Sequence, residues 1–140
     1  MAKQGVSLPY HTSPGVIDTA LEKIRAASTP DRVTQDFVIT TLSIKGGAGK
    51  AVVPFLKKVG FIRSDGTPTE IYTAFRNHSK AGTAAAQALR LGYKALYDIN
   101  ERAHDLQDAD LKGLIVQVTG LEEKSTAVQQ ILGSFKRLKK

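Results

Sequence analysis

The chain has 140 residues, no cysteine, 41% apolar and 24% charged residues, and a formal net charge of +7. This composition suits one ordinary domain or two very small ones sharing a core, and it excludes a disulfide scaffold, thiolate metal sites and wholesale disorder. The positive excess draws polyanions, nucleic acid first, and a basic but inert surface is the plain alternative.

The opening residues, MAKQGVSLPYHTSPG, contain no apolar core of a secretory signal. No run approaches the roughly 18 apolar residues that a membrane span needs. A cytoplasmic location and a flexible N-terminal arm over residues 1–13 are therefore expected.

The first helix is expected over about 14–27, capped by Thr12 or Ser13, with Val16, Ile17, Ala20, Leu21 and Ile24 at helical spacing. Thr34 caps a second, with Phe37, Val38, Thr41 and Leu42 on one face. The β-branched run Val38-Ile39-Thr40-Thr41 also allows a strand, but Asp36 in the first turn favours helix. A glycine turn over 45–50 leads to a third helix over about 49–59, with Pro54 in its early turns and Gly60 ending it. Asp65-Gly66 signals a reverse turn, and two short arms around it would form a β wing. Thr69 caps a fourth helix carrying Ile71, Tyr72 and Phe75. An alanine-rich helix follows over about 82–103. Asp108 caps the next, and residues 123–137 form the last, followed by a basic tail at 139–140.

Lys45-Gly46-Gly47-Ala48-Gly49-Lys50 resembles the phosphate-binding loop of ParA-type ATPases, where backbone amides cradle phosphates and a following hydroxyl ligates magnesium. Here Ala51 stands at the hydroxyl position, and no later βα units follow. Nucleotide binding through 45–50 is thus disfavoured. A glycine turn between helices is the simpler reading, and such a turn at a helix start also suits a DNA phosphate.

Residues 45–80 hold seven basic side chains, Lys45, Lys50, Lys57, Lys58, Arg63, Arg76 and Lys80, against Asp65 and Glu70, which is +5 of the total +7. In a helix-turn-helix protein the second helix of the motif enters the major groove and cations around it meet phosphates. These seven residues are the candidate DNA-binding set. Arginine, asparagine and glutamine, the usual base readers, do not occur in 45–60. Lysines alone point to salt-dependent, largely sequence-independent binding, and a solvated lysine face is the competing reading.

His11, His78 and His104 are scattered and are expected at exposed loop or helix ends; Glu101, His104 and Asp105 read as a polar helix terminus. No catalytic group, metal site or cofactor is expected.

Leu8-Pro9-Tyr10-His11-Thr12-Ser13, Thr34-Gln35-Asp36-Phe37, the run Val53 to Phe61 and the run Asp65 to Tyr72 resemble an uncharacterised bacterial and archaeal family classed only as a domain of unknown function. The likeness continues through Ala74-Phe75-Arg76, Ala95-Leu96-Tyr97, Asn100, Ala103-His104 and Thr119-Gly120. It implies a helical, winged-helix-like fold and transfers no activity.

The expectation is thus a mainly α protein with a helix-turn-helix or winged-helix-like unit over 14–78, a short β wing, and a C-terminal helical unit over 79–138 packed on it. Its expected work is non-enzymatic binding of duplex DNA. The alternative is a protein-interaction adaptor, with a homodimer face supplied by the alanine-rich helix and its Tyr93 and Tyr97.

Overall fold

In the computed structural model, which describes residues 7–139, the order is α1 (Gly15–Ala26), α2 (Gln35–Thr40), α3 (Gly46–Lys58), α4 (Glu70–Arg76), α5 (Ala81–Gly92), α6 (Lys94–Ile99), α7 (Asp108–Thr119) and α8 (Thr126–Lys139). A single 3-10 turn, Ala103–Asp105, lies between α6 and α7. The mainly helical architecture is present, and no β-strand occurs among the described residues.

Each helix forms where apolar residues recur on one face. In α1, Ile17, Ala20, Leu21 and Ile24 are buried at spacings of three and four. Its expected cap is not used, because Pro14 occupies the N-cap position without a side-chain bond. Thr34 does cap α2, accepting from the Phe37 amide at 3.1 Å. The β-branched run there is helical because Val38 can bury completely against α3.

The connection between α2 and α3 lies earlier than the glycines. It spans residues 41–45, with Ser43 in the left-handed region at φ 59 and the Ile44 amide bonded to the Val38 carbonyl at 3.0 Å. Pro54 consequently stands in the third turn of α3 rather than an early one. It costs the helix the amide that would bond the Lys50 carbonyl, and it is tolerated on the exposed side, where water can serve that carbonyl.

The expected β wing is absent among the described residues. Residues 61–69 form a hairpin-shaped loop with one isolated bridge, Ile62 to Pro68. Pro68 has no amide with which to extend a ladder. The tip is docked as well: the Gly66 carbonyl accepts from the Val33 amide at 2.8 Å, and Gly66 at φ +92 has the Val33 backbone against it. Hydrogen bonds from the Thr67 side chain and amide hold the Asp65 carboxyl below its ordinary range and stiffen the turn.

The alanine-rich helix is broken in two at Tyr93. Tyr93 is fully buried and its hydroxyl donates to the Pro9 carbonyl at 2.7 Å. Beside it, Gly92 lies so close to Val59 and the Lys58 carbonyl that a side chain would collide. Asp108 is the first residue of α7, not its cap, and pairs with Lys136 at 2.8 Å.

Two terminal expectations are corrected by burial. Residues 1–6 of the expected arm lie outside the described residues, but Leu8, Pro9 and His11 are buried. This strap runs along α8: the His11 amide donates to Ser134 Oγ at 2.9 Å, and Gln130 Nε2 to the Thr12 carbonyl at 3.2 Å. The expected basic tail is, at Lys139, the last turn of α8, anchored by the buried Leu138; Lys140 lies outside the described residues.

His11, expected to be exposed, is 1% exposed. Its Nδ1 accepts from the Ser13 amide at 2.8 Å, which leaves the proton on Nε2 to be donated to the Ala48 carbonyl at 2.8 Å. His11→Ala removes both bonds and leaves a cavity, so unfolding free energy should fall by roughly 2–4 kcal/mol, read by chemical denaturation. Tyr72 is the opposite case. It is buried, its hydroxyl has no partner among the described residues, and burial pushes that hydroxyl's pKa up to about 12. Tyr72→Phe keeps the edge-on contact with Phe61, and should leave stability unchanged or raised by up to about 1 kcal/mol; a clear loss would reveal a hidden partner for the hydroxyl.

Candidate nucleic-acid interface

Helices α2 and α3 pack against each other across residues 41–45. Helix α3 buries Gly49, Val52, Val53, Phe55 and Leu56. The opposite side carries Gly47, Lys50, Pro54, Lys57 and Lys58, all exposed. Lys50, Pro54 and Lys57 fall at i, i+4 and i+7 and therefore share one stripe, with Lys58 beside it. Lys45 is the exposed N-cap residue. No acidic residue lies on α3, and no ion pair engages these four lysines among the described residues.

The glycines act differently from a phosphate loop. Gly46–Lys50 is the opening of α3 itself, and the segment feeding it is α2 and a turn, not a strand. Gly46 starts the helix at φ +70, a conformation few other residues adopt. Gly49 is buried because the Ile44 carbonyl lies where its side chain would be. The glycine run thus lets the turn close tightly on the helix start.

The remaining candidate residues lie on other elements than α3. Arg63 and Lys80 line an open groove of about 470 Å³ with Glu70, Thr73 and Asn77. Arg63 also donates to the Pro68 carbonyl at 3.3 Å. Arg76 is half-buried: its Nε donates to the Ile24 carbonyl and its Nη1 to Thr29 Oγ1, both at 3.2 Å. It closes the C-terminus of α1 and holds α4 to it. Sequence reading counted its charge and could not see that a helix end 52 residues away would take the guanidinium.

His78 is exposed and lies 2.8 Å from an Arg25 nitrogen. His104 is half-buried beside Tyr97, at 3.2 Å from its hydroxyl. What the sequence reading missed is His11, whose contact with Ala48 fixes the first turn of α3. Its only sequence signal was its place in the stretch LPYHTS.

Two glycines of α3 should respond in opposite ways to alanine. Gly47 faces open space within a helix, so Gly47→Ala should stabilise by about 0.5–1 kcal/mol. At Gly49 the carbonyl of Ile44 must move, so Gly49→Ala should destabilise by about 1–3 kcal/mol. Thermal unfolding of the two variants side by side checks the difference in sign.

Comparison with curated proteins and with solved structures finds no match. The model of a family of unknown function, DUF5343, matches residues 9–140, nearly all of the described chain. The chain therefore belongs to the DUF5343 family.

Proposed function

We propose that this protein binds duplex DNA without catalysis, through the lysine-bearing side of α3 and mainly through phosphates. The observation that carries the proposal is the exposed, acid-free stripe of Lys50, Lys57 and Lys58 on the second helix of a helix-turn-helix pair. The order α1, α2, α3 followed by a docked hairpin-shaped loop supports a winged-helix-like scaffold as the reading. Lys45 and the amides of Gly46 and Gly47 add a cationic helix start suited to a phosphate. Neither arginine, asparagine nor glutamine lies on α3 to read a base edge. Binding should therefore depend on charge far more than on sequence.

Three or four phosphate contacts imply that log affinity falls with log salt with a slope of roughly −3 to −4. The double variant Lys57→Glu, Lys58→Glu should abolish binding at low salt and leave the fold unchanged, since both side chains are exposed. Fluorescence anisotropy with a labelled duplex measures both. An unchanged affinity in the double variant, or no binding at low salt, removes the proposal.

A second reading, self-association, is favoured by Leu91 and Ile99, which are 58% and 47% exposed at the ends of α5 and α6. Sedimentation should then show a concentration-dependent dimer that Leu91→Glu converts to monomer.

A further inference from the structure

Away from α3, folding assembles a second cationic feature that composition does not single out. Arg90, Tyr97, Glu101, Arg102 and His104 line an open groove of about 460 Å³. A smaller recess of about 130 Å³ shares Arg90, Tyr97 and His104 with it and adds Lys139 from α8. The residues come from α5, α6, the segment 100–102, the 3-10 turn and the last turn of α8.

The charges in this groove are unevenly matched. Arg102 closes on Asp105 at 2.7 Å, so that pair neutralises itself. Arg90 is exposed and has no carboxylate partner among the described residues; its guanidinium lies 5.5 Å from the centre of the Tyr97 ring. Stacking of this kind fixes the plane of the group and leaves its in-plane N–H donors free. Lys139 Nζ donates to the His104 carbonyl at 2.9 Å, a neutral acceptor, and among the described residues no carboxylate pairs with this ammonium. Burial raises the Tyr97 pKa, so its hydroxyl stays protonated and can donate to His104 Nδ1 at 3.2 Å. The other ring nitrogen, Nε2, lies 3.8 Å from Asp105 Oδ1, so the imidazole edge also faces the Arg102–Asp105 pair. Glu101 is the one remaining acid of the lining, and it is exposed.

We propose that this groove is a binding site for a phosphate-bearing small molecule, held bidentately by Arg90 with Lys139 as a further donor and His104 in its wall. A phosphate dianion matches these two cations, and its several oxygens match donors arriving from different directions. The site is independent of the DNA reading, because none of its residues lies on α3.

Titration of the 15N-labelled protein with inorganic phosphate, at ionic strength held constant with chloride, tests it. The expected result is saturable shifts centred on Arg90, Tyr97 and His104. Arg90→Ala should weaken binding about tenfold or more, since a charge-assisted pair is lost. Arg90→Lys should also bind several-fold more weakly, because the fork is lost while the charge stays. The Lys57→Glu, Lys58→Glu variant should bind phosphate as the parent does. Shifts that do not saturate, an Arg90→Ala variant that binds equally well, or groove shifts that arise only with duplex DNA would each overturn the proposal.

Discussion

The imidazole of His11 is where three remote parts of the chain meet. Its ring bonds the Ala48 carbonyl in the first turn of α3, its amide bonds Ser134 of α8, and its other ring nitrogen takes the Ser13 amide. Because the ring is buried, water cannot replace any of these bonds, and leaving one unmade costs the full desolvation of the group. Through the buried Leu8, Pro9 and His11 the strap is therefore tied into the core. Pro9 is held by the Tyr93 hydroxyl, and Pro14 packs on Gly133. One contiguous set of buried residues runs from Leu8 to Leu138, so the first and last helices share a single interior.

That constraint bears on the candidate interface. A helix that presents lysines to a polyanion must be held firmly from behind, or the repulsion among its own cations would favour disorder at its start. Helix α3 is held at both ends. At its start are His11 and the close approach of Ile44 to Gly49. At its end the backbone of Lys58 and Val59 lies against Gly92. Four lysines can then stay exposed, with no ion pair among the described residues, while the face beneath them is apolar throughout.

The helices were legible wherever an apolar repeat was strong enough to outvote local chemistry. The first helix, the second with its Thr34 cap, and the body of the seventh follow from residue type and spacing. Expectations failed where a distant group changed the meaning of a local signal. Asp65-Gly66 does turn the chain, but Val33 takes the Gly66 carbonyl and Pro68 denies the ladder an amide. The alanine-rich run has no internal breaker before Gly92, yet it divides at Tyr93, whose hydroxyl reaches back to Pro9. His11 had the composition of a solvated loop and became a core residue, because its two ring nitrogens find partners 2 and 37 positions away.

The same division runs through the charges. Sequence by itself determined that the chain would be helical, that positive charge would gather between residues 45 and 80, and that α3 would carry no base-reading side chain, since these depend only on residue identity and short-range periodicity. Which cations face solvent together was decided by the tertiary structure alone. It left Lys50, Lys57 and Lys58 exposed on one stripe, bound Arg76 to the end of α1, and brought Arg90 and Lys139, 49 residues apart, to one groove. A charge is a property of one residue, but its availability depends on what the folded chain places within hydrogen-bond reach, and periodicity carries no information about that.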